Sequence, residues 1–309
     1  MRPFRFDKRL IEIPHFKNHV RVGWNKEKPG QKSTILDRVR TCKQSMATLK
    51  HRSNMNSHIR INQLQTALDR SMSSLLRAER LLIPQIQRDL TKAYNDEEKY
   101  WQQKSRNSWM KEGDRNTGFF HACTKTRFTM NRITSIYNEE GRMFKGNQEI
   151  DNHAQRFFTN VFTSSGRSVS TIDFANFKST VTPHINSELT KDFTDSEIFD
   201  AICQIGDDKA PGPDGLTARF YKSCCDIVSS DVIQEVKHYF RTSSMRNSLN
   251  HTNICMIPKI TNPQTLLDYQ PITLCNVLYK IISKCLVGRL KSHLDAIVFD
   301  SQAAFIPGD

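Results

Sequence analysis

The chain has 309 residues, of which 37% are apolar and 25% charged, and it carries a net charge of +13. That length allows two or three domains with real cores, at a composition slightly on the polar side of ordinary globular usage. Neither secretion nor membrane spanning is expected, because "MRPFRFDKRL" has no apolar continuation and no run of 18 apolar residues occurs.

The charge is unevenly placed. Residues 1–130 hold 27 basic and 12 acidic side chains, a net of +15, whereas residues 131–309 hold 18 and 20, a net of −2. The excess in the first part points to an anionic partner, above all nucleic acid; a solvated basic helical surface is the equal alternative. Eight cysteines include no C-x-x-C pair, and His121 and Cys123 have no second ligand pair at zinc spacing. The thiols are therefore expected to be reduced, intracellular and mostly buried, with no metal site.

Residues 1–25 are basic with interspersed aromatics and lack a core of their own, and "NKEKPGQ" breaks the chain after them. From Ser33 to about Met110 the pattern is helical. Ile35, Val39, Cys42, Met46 and Leu49 recur at helical steps, as do Ile59, Leu64, Leu68, Met72, Leu75 and Leu76, with Ile61 fitting less well. Pro84 is placed to open a further helix, which Gly113 can close. An amphipathic helical hairpin or short coiled coil is the expected form. Its Tyr94, Trp101 and Trp109 suit a core face better than a stacking surface.

The stretch "RITSIYNEEGRMF" predicts a β-hairpin near residues 132–144, turning at Asn138–Gly141. A helix follows, with Ile150, Ala154, Phe157, Phe158 and Val161 on one face. "TSSGRSVST" then begins a flexible linker over residues 163–187. Beyond it, Thr194 and Glu197 form a capping box, and Ile198, Ala201, Ile202 and Ile205 face one way. "DDKAPGPDGL" reads as an ordered loop. Helices are predicted at about Thr217–Ile227 and Ser230–Phe240, and strands at "TNICMIPK" and "YQPITLC". Asn276 can cap a long helix through Leu294, and the chain finishes with a short strand, Ala303 to Ile306, and a Pro-Gly turn. The fold class is α+β, mainly α.

Three stretches, "KAPGPDGLTARFYKSCCDIV", "NHTNICMIPK" and "DYQPITLCNVLYKIISKCLVGRLKSHLDAIVFDSQAAFIPG", resemble the N-terminal part of the reverse transcriptase of plant LINE-type (non-LTR) retrotransposons. "YWQQKSRNSWMKEGDRNTGFFHACTKTRFTMNRI" resembles the segment joining endonuclease to polymerase in the same polyproteins, and "RPFRFDKRLIEIPHF" the end of their endonuclease. The resemblance implies four parts: an endonuclease tail at 1–25, a basic helical linker region at 26–162, the flexible linker at 163–187, and the polymerase fingers at 188–309. It also implies RNA as partner, with DNA as the alternative, no membrane and no small-molecule substrate. Localisation would be intracellular, nuclear or cytoplasmic.

In such polymerases the fingers grip template RNA. Lys209, Gly212, Gly215 and Lys259 are the candidates there, the glycines because they let backbone N–H groups approach phosphate. For that loop a structural turn with solvated lysines is the plainer alternative; Lys111, Arg115, Lys125, Arg127 and Arg132 are the candidates beside the "GDRNTGFFH" turn. The intact polymerase would need Mg²⁺ held by palm carboxylates, which the resemblance places beyond Asp309. Asp207–Asp208 and Asp96–Glu98 read as surface acids, so no catalytic residue and no cofactor are assigned. The family usually has arginine at Gln270 and Asp309, lysine at Gly118 and tryptophan at Cys225, which suggests a decaying copy. The expectation is a truncated reverse transcriptase inactive alone. The alternatives are a residual RNA- or DNA-binding module and a non-functional remnant. Without a palm, the fingers would expose an apolar face and a strand edge, favouring marginal stability or self-association.

Overall fold

The computed structural model describes residues 4–27, 30, 33–53, 55–106, 117–164, 180–246 and 248–298. The predicted terminal strand, Lys111, Arg115, Trp109 and most of "TSSGRSVST" lie outside them. The architecture is mainly helical α+β: among the described residues its two sheets are two-stranded and antiparallel.

A short 3-10 turn, Lys8–Glu12, leads into α1 (Phe16–Trp24), which lies against α2 (Ile35–Arg52). Thr34 and Asp37 form a capping box that starts α2, and the predicted row Ile35, Val39, Cys42, Met46 and Leu49 is buried along its whole length. Next come α3 (Ser57–Ser73), the single turn α4 (Arg77–Arg80) and α5 (Ile83–Ser105), with Pro84 in the first turn of α5 as expected. Helices α3 and α5 pack together as a hairpin, joined by a hydrogen bond from Gln65 Nε2 to the Tyr94 hydroxyl at 2.7 Å. Its apolar row departs from expectation. Ile61 is buried, whereas Met72, Leu75 and Leu76 are exposed at the tip.

Helix α6 (Thr117–Met130) packs on α5 through a perpendicular contact of Trp101 with His121, ring centres 4.4 Å apart. The hairpin is present as β1 (Ser135–Tyr137) and β2 (Met143–Lys145), with Tyr137 opposite Met143. α7 (Asn147–Phe162) follows, and α8 (Pro183–Thr190) forms inside the end of the predicted linker because Thr182 caps it and Pro183 opens it. Ile136, Ile150, Phe158, Leu266 and Tyr269 make a small core of their own, binding hairpin and α7 to the segment around Leu266–Tyr269.

The capping box of Thr194 and Glu197 starts α9 (Asp195–Gln204) as predicted. The next two helices differ from expectation: they are α10 (Ala218–Ser223) and α11 (Cys225–Thr242). Val228, Val232 and Val236 form one buried row across Ser229–Ser230, so the expected break falls inside a continuous helix. Cys225 is half-buried at the start of α11. Strands β3 (Thr252–Pro258) and β4 (Tyr269–Cys275) pair from Thr252–Cys275 to Pro258–Tyr269, and α12 (Val277–Lys291) and α13 (Leu294–Ile297) complete the order.

The main core crosses the whole sequence. Phe6, Leu10, Phe16, Val20 and Trp24 lie in one cluster with the α2 row, with Phe220 and Tyr221, and with Val277, Leu278, Ile281 and Ile282 of α12. The parts that the sequence separates as 1–25 and 188–309 thus share a single interior. Trp24 is fully buried and its indole N–H donates to Asp231 at 2.7 Å, as a buried indole requires.

Candidate nucleic-acid interface

A cleft lies between the N-terminal segment Arg5–Lys8, the C-terminal end of α5 and the loop Gly206–Thr217. Two adjoining cavities of about 650 and 550 Å³ share Gln103, Arg106, Asp208, Lys209 and Ala210. Gln103 fixes one wall: its side-chain amide donates to the Phe6 carbonyl at 3.2 Å, and its oxygen accepts from the Lys8 N–H at 3.1 Å.

Behind that wall sits a buried arginine. Arg9 donates to the Asp7 carboxylate at 3.0 and 2.8 Å, to Ser57 Oγ at 2.9 Å and to the Met55 carbonyl at 3.2 Å, and it lies over the Tyr100 ring. A buried charge is tolerable only with such pairing. Burial alone would raise the Asp7 carboxyl; the hydrogen bond and charge of Arg9, with Lys50 adding to them, hold it below its ordinary value.

The loop forms the other wall, and its glycines answer to the chain's own backbone. Gly215 has φ +75°, and a Cβ there would overlap the Phe4 carbonyl oxygen. Its own carbonyl accepts from the Phe6 N–H at 2.9 Å. At Gly212 a Cβ would lie 2.6 Å from the Cys275 carbonyl carbon. Close approach therefore explains both glycines without a phosphate. Asn276 is also used differently from expectation. Its side-chain oxygen accepts from the Asp214 N–H at 3.1 Å and its amide donates to the Leu249 carbonyl at 3.3 Å, so it anchors the loop and makes no side-chain cap for α12. Asp214 is half-buried, and the protein packed around its carboxylate pushes it up to about 6. Lys280, from the first turn of α12, donates to the Ala210 carbonyl at 2.6 Å, and burial pushes its ammonium below the ordinary value.

Charge pairing leaves an excess of cations in the cleft. Asp208 pairs with Arg219 at 2.7 Å and Asp207 with Lys222 at 2.8 Å. Among the described residues no carboxylate pairs with Arg5, Arg106, Arg127 or Lys209. Burial, and then the neighbouring guanidiniums of Arg127 and Arg5, push Arg106 below its ordinary value, although an arginine so placed keeps its charge. Arg127 reaches in from α6, donating to the Ser105 carbonyl at 2.7 Å. Arg5, Arg106 and Lys209 thus line the cleft without a pairing carboxylate among the described residues, with Arg127 close enough to Arg106 to act on it, which is an arrangement an anion stabilises.

Of the candidates named from sequence, Lys209 lines this cleft, Arg127 lies near Arg106 without lining either cavity, and Gly212 and Gly215 shape the loop that forms its wall. Lys125 on α6 and Arg132 just past its end are exposed. Lys259 sits beyond the end of β3, its ammonium donating to the Leu267 carbonyl at 3.1 Å. Lys111 and Arg115 lie outside the described residues. Sequence reasoning missed Arg5, Arg106 and Lys280. Arg106 lies in the quoted "YWQQKSRNSW" stretch and Arg5 in the basic N-terminal segment, so charge marked the neighbourhoods; only the tertiary fold brings them together.

Among the described residues no group of three His, Cys, Asp or Glu could hold a metal ion. Asp207 and Asp208 are turned to Arg219 and Lys222. Nor is any described helix long and apolar enough to cross a membrane.

No family model matches the chain. A curated relative is the "Transposon TX1 uncharacterized 149 kDa protein" of Xenopus laevis, 25% identical over 206 residues. The match covers 66% of this chain and 16% of the relative, so the chain spans about a sixth of that protein's length. Over two thirds of its length, the chain is similar to a transposon protein.

Proposed function

We propose that this chain is a nucleic-acid-gripping segment of a non-LTR retrotransposon reverse-transcriptase polyprotein, comprising the basic linker region and the fingers. The single observation that carries the reading is the meeting of Arg5, Arg106 and Lys209 on the cleft wall without a pairing carboxylate among the described residues, with Arg127 of α6 next to Arg106. The transposon relative and the polymerase-like stretches "KAPGPDGL" and "DYQPITLC" support the same reading. The role is to hold the sugar-phosphate backbone of RNA, with DNA as the alternative. Catalysis of strand synthesis is not assigned to these residues, since the adjacent acids Asp207 and Asp208 serve Arg219 and Lys222.

The test is fluorescence anisotropy of the full chain with a labelled single-stranded RNA across a salt series. Affinity should fall as salt rises, and the triple variant R5Q/R106Q/R127Q should weaken binding and flatten the log–log slope by roughly 2, about 0.7 for each phosphate that is no longer neutralised. An absence of binding at low salt, or a triple variant with unchanged affinity and slope, would overturn the reading.

A further inference from the structure

Helix α6 carries no acidic residue over its 14 positions, TGFFHACTKTRFTM. At its C-terminal end Phe128 is 72% exposed, and its ring meets no aromatic ring or cation of another described residue. The helical hydrogen bonding continues past Met130, with the Asn131 N–H donating to the Arg127 carbonyl at 3.0 Å. Lys125 and Phe128 are therefore three residues apart on one side of α6, and Arg132 follows in the turn just past its end, its N–H donating to the Thr129 carbonyl at 3.3 Å. Arg127, the adjoining residue, lies near Arg106 of the cleft.

An exposed phenylalanine is ordinary on many surfaces, and α6 also exposes Met130 and, less, Phe119. Phe128 stands between two cations, beside a third, with no acid on its helix. Such flanking suits neither an apolar protein surface, which would have to desolvate Lys125 and Arg132, nor a membrane, which one ring cannot anchor. It suits a ligand that presents flat π-faces and negative charges in alternation, and a nucleic-acid strand with unpaired bases does so. A duplex hides those faces in its own stack.

We propose that Phe128 is a stacking platform for an unpaired base, with Lys125 and Arg132 meeting the flanking phosphates. The site is thereby selective for single strands over duplex. This deepens the nucleic-acid reading of the cleft and rests on it.

The experiment compares anisotropy of the full chain with a single-stranded RNA of about 12 nucleotides and with a duplex of equal length, for wild type, Phe128→Ala and Phe128→Trp. Phe128→Ala should weaken single-strand binding about 5- to 100-fold and leave duplex affinity and the salt slope unchanged, since no charge is removed. Phe128→Trp should restore single-strand binding. Phe128 is exposed, so the variants keep the fold, which circular dichroism melting checks. Equal losses for single strand and duplex, or no loss for either, would overturn the stacking role while leaving the cleft reading intact. Wild-type protein that binds neither nucleic acid would remove both.

Discussion

Helices α2 and α3 carry apolar rows of similar sequence quality, and the fold treats them oppositely. Along α2 every member from Ile35 to Leu49 is buried at 6% exposure or less. Along α3 and the turn after it, Ile61 is 5% exposed, whereas Met72 is 61%, Leu76 63% and Leu75 94% exposed. The difference lies in what stands opposite. Helix α2 has α1 on one side and α11 nearby, so its row is enclosed within the main core. Among the described residues, helix α3 packs mainly on α5, with α4 beside it at the hairpin tip beyond Ser73. A periodic stripe specifies a helix with an apolar side; burial needs a second surface.

The comparison can be broken at its core end first. Trp24→Ala should remove about 3–5 kcal/mol of stability in urea titration, because it empties the space beside Phe220 and removes the indole N–H from Asp231, which keeps Arg38 at 3.6 Å. A loss below about 1 kcal/mol would mean that α1 is no part of the cooperative core.

An intermediate effect is expected where α12 is held to α9. Arg289 donates to both Glu197 oxygens at 2.8 and 3.1 Å and to the Asp192 carbonyl at 2.8 Å, with its guanidinium over the Phe193 ring. The Arg289 hydrogen bonds, backed by those from Thr194, lower the Glu197 carboxyl to about 2. Arg289→Met should cost about 1–3 kcal/mol at neutral pH. Because the folded pKa lies below the ordinary 4.5, this contribution is present above that value and disappears as pH falls towards 2. Wild type and variant should therefore converge in stability as pH drops through that window. A gap that stays constant with pH would show that Arg289 acts through packing alone.

The smallest effect belongs to the tip. Leu75→Ser should change stability by less than about 0.5 kcal/mol, although the residue fits the helical row as well as Leu49 does. A loss comparable to that of Trp24→Ala would mean that the tip is covered in solution.

Much of this is legible in the sequence, and the failures share a cause. The capping box at Thr194, the hairpin at Asn138–Gly141 and the strand stopped by Pro258 depend on neighbours a few residues away, and local chemistry locates them. The fate of Leu75 and the placing of residues 4–24 inside the core depend on surfaces far along the chain, which periodicity does not encode. The α10–α11 boundary shows the same limit. Two serines resemble a helix start, but the valine row packed against α1 and α9 carries the helix through them. At the cleft, composition marks the basic half correctly as a neighbourhood. The meeting of Arg5 with Arg106 and its neighbour Arg127 depends on contacts such as those of Gln103 with the N-terminal segment and of Arg127 with the Ser105 carbonyl.

That shared interior has a consequence for how the protein is made. The Trp24–Asp231 hydrogen bond joins positions 207 apart, and the Lys17–Asp226 ion pair joins positions 209 apart. On a ribosome adding about 5–20 residues per second, α1 and α2 wait on the order of 10–40 seconds before the helices that cover them are synthesised. During that interval Phe16, Val20 and Trp24 have α2 as their available apolar neighbour, and the α1–α2 pair is the first unit able to shield them. Substitutions that weaken this early pair should reduce soluble yield during translation by more than they reduce the stability of the finished fold.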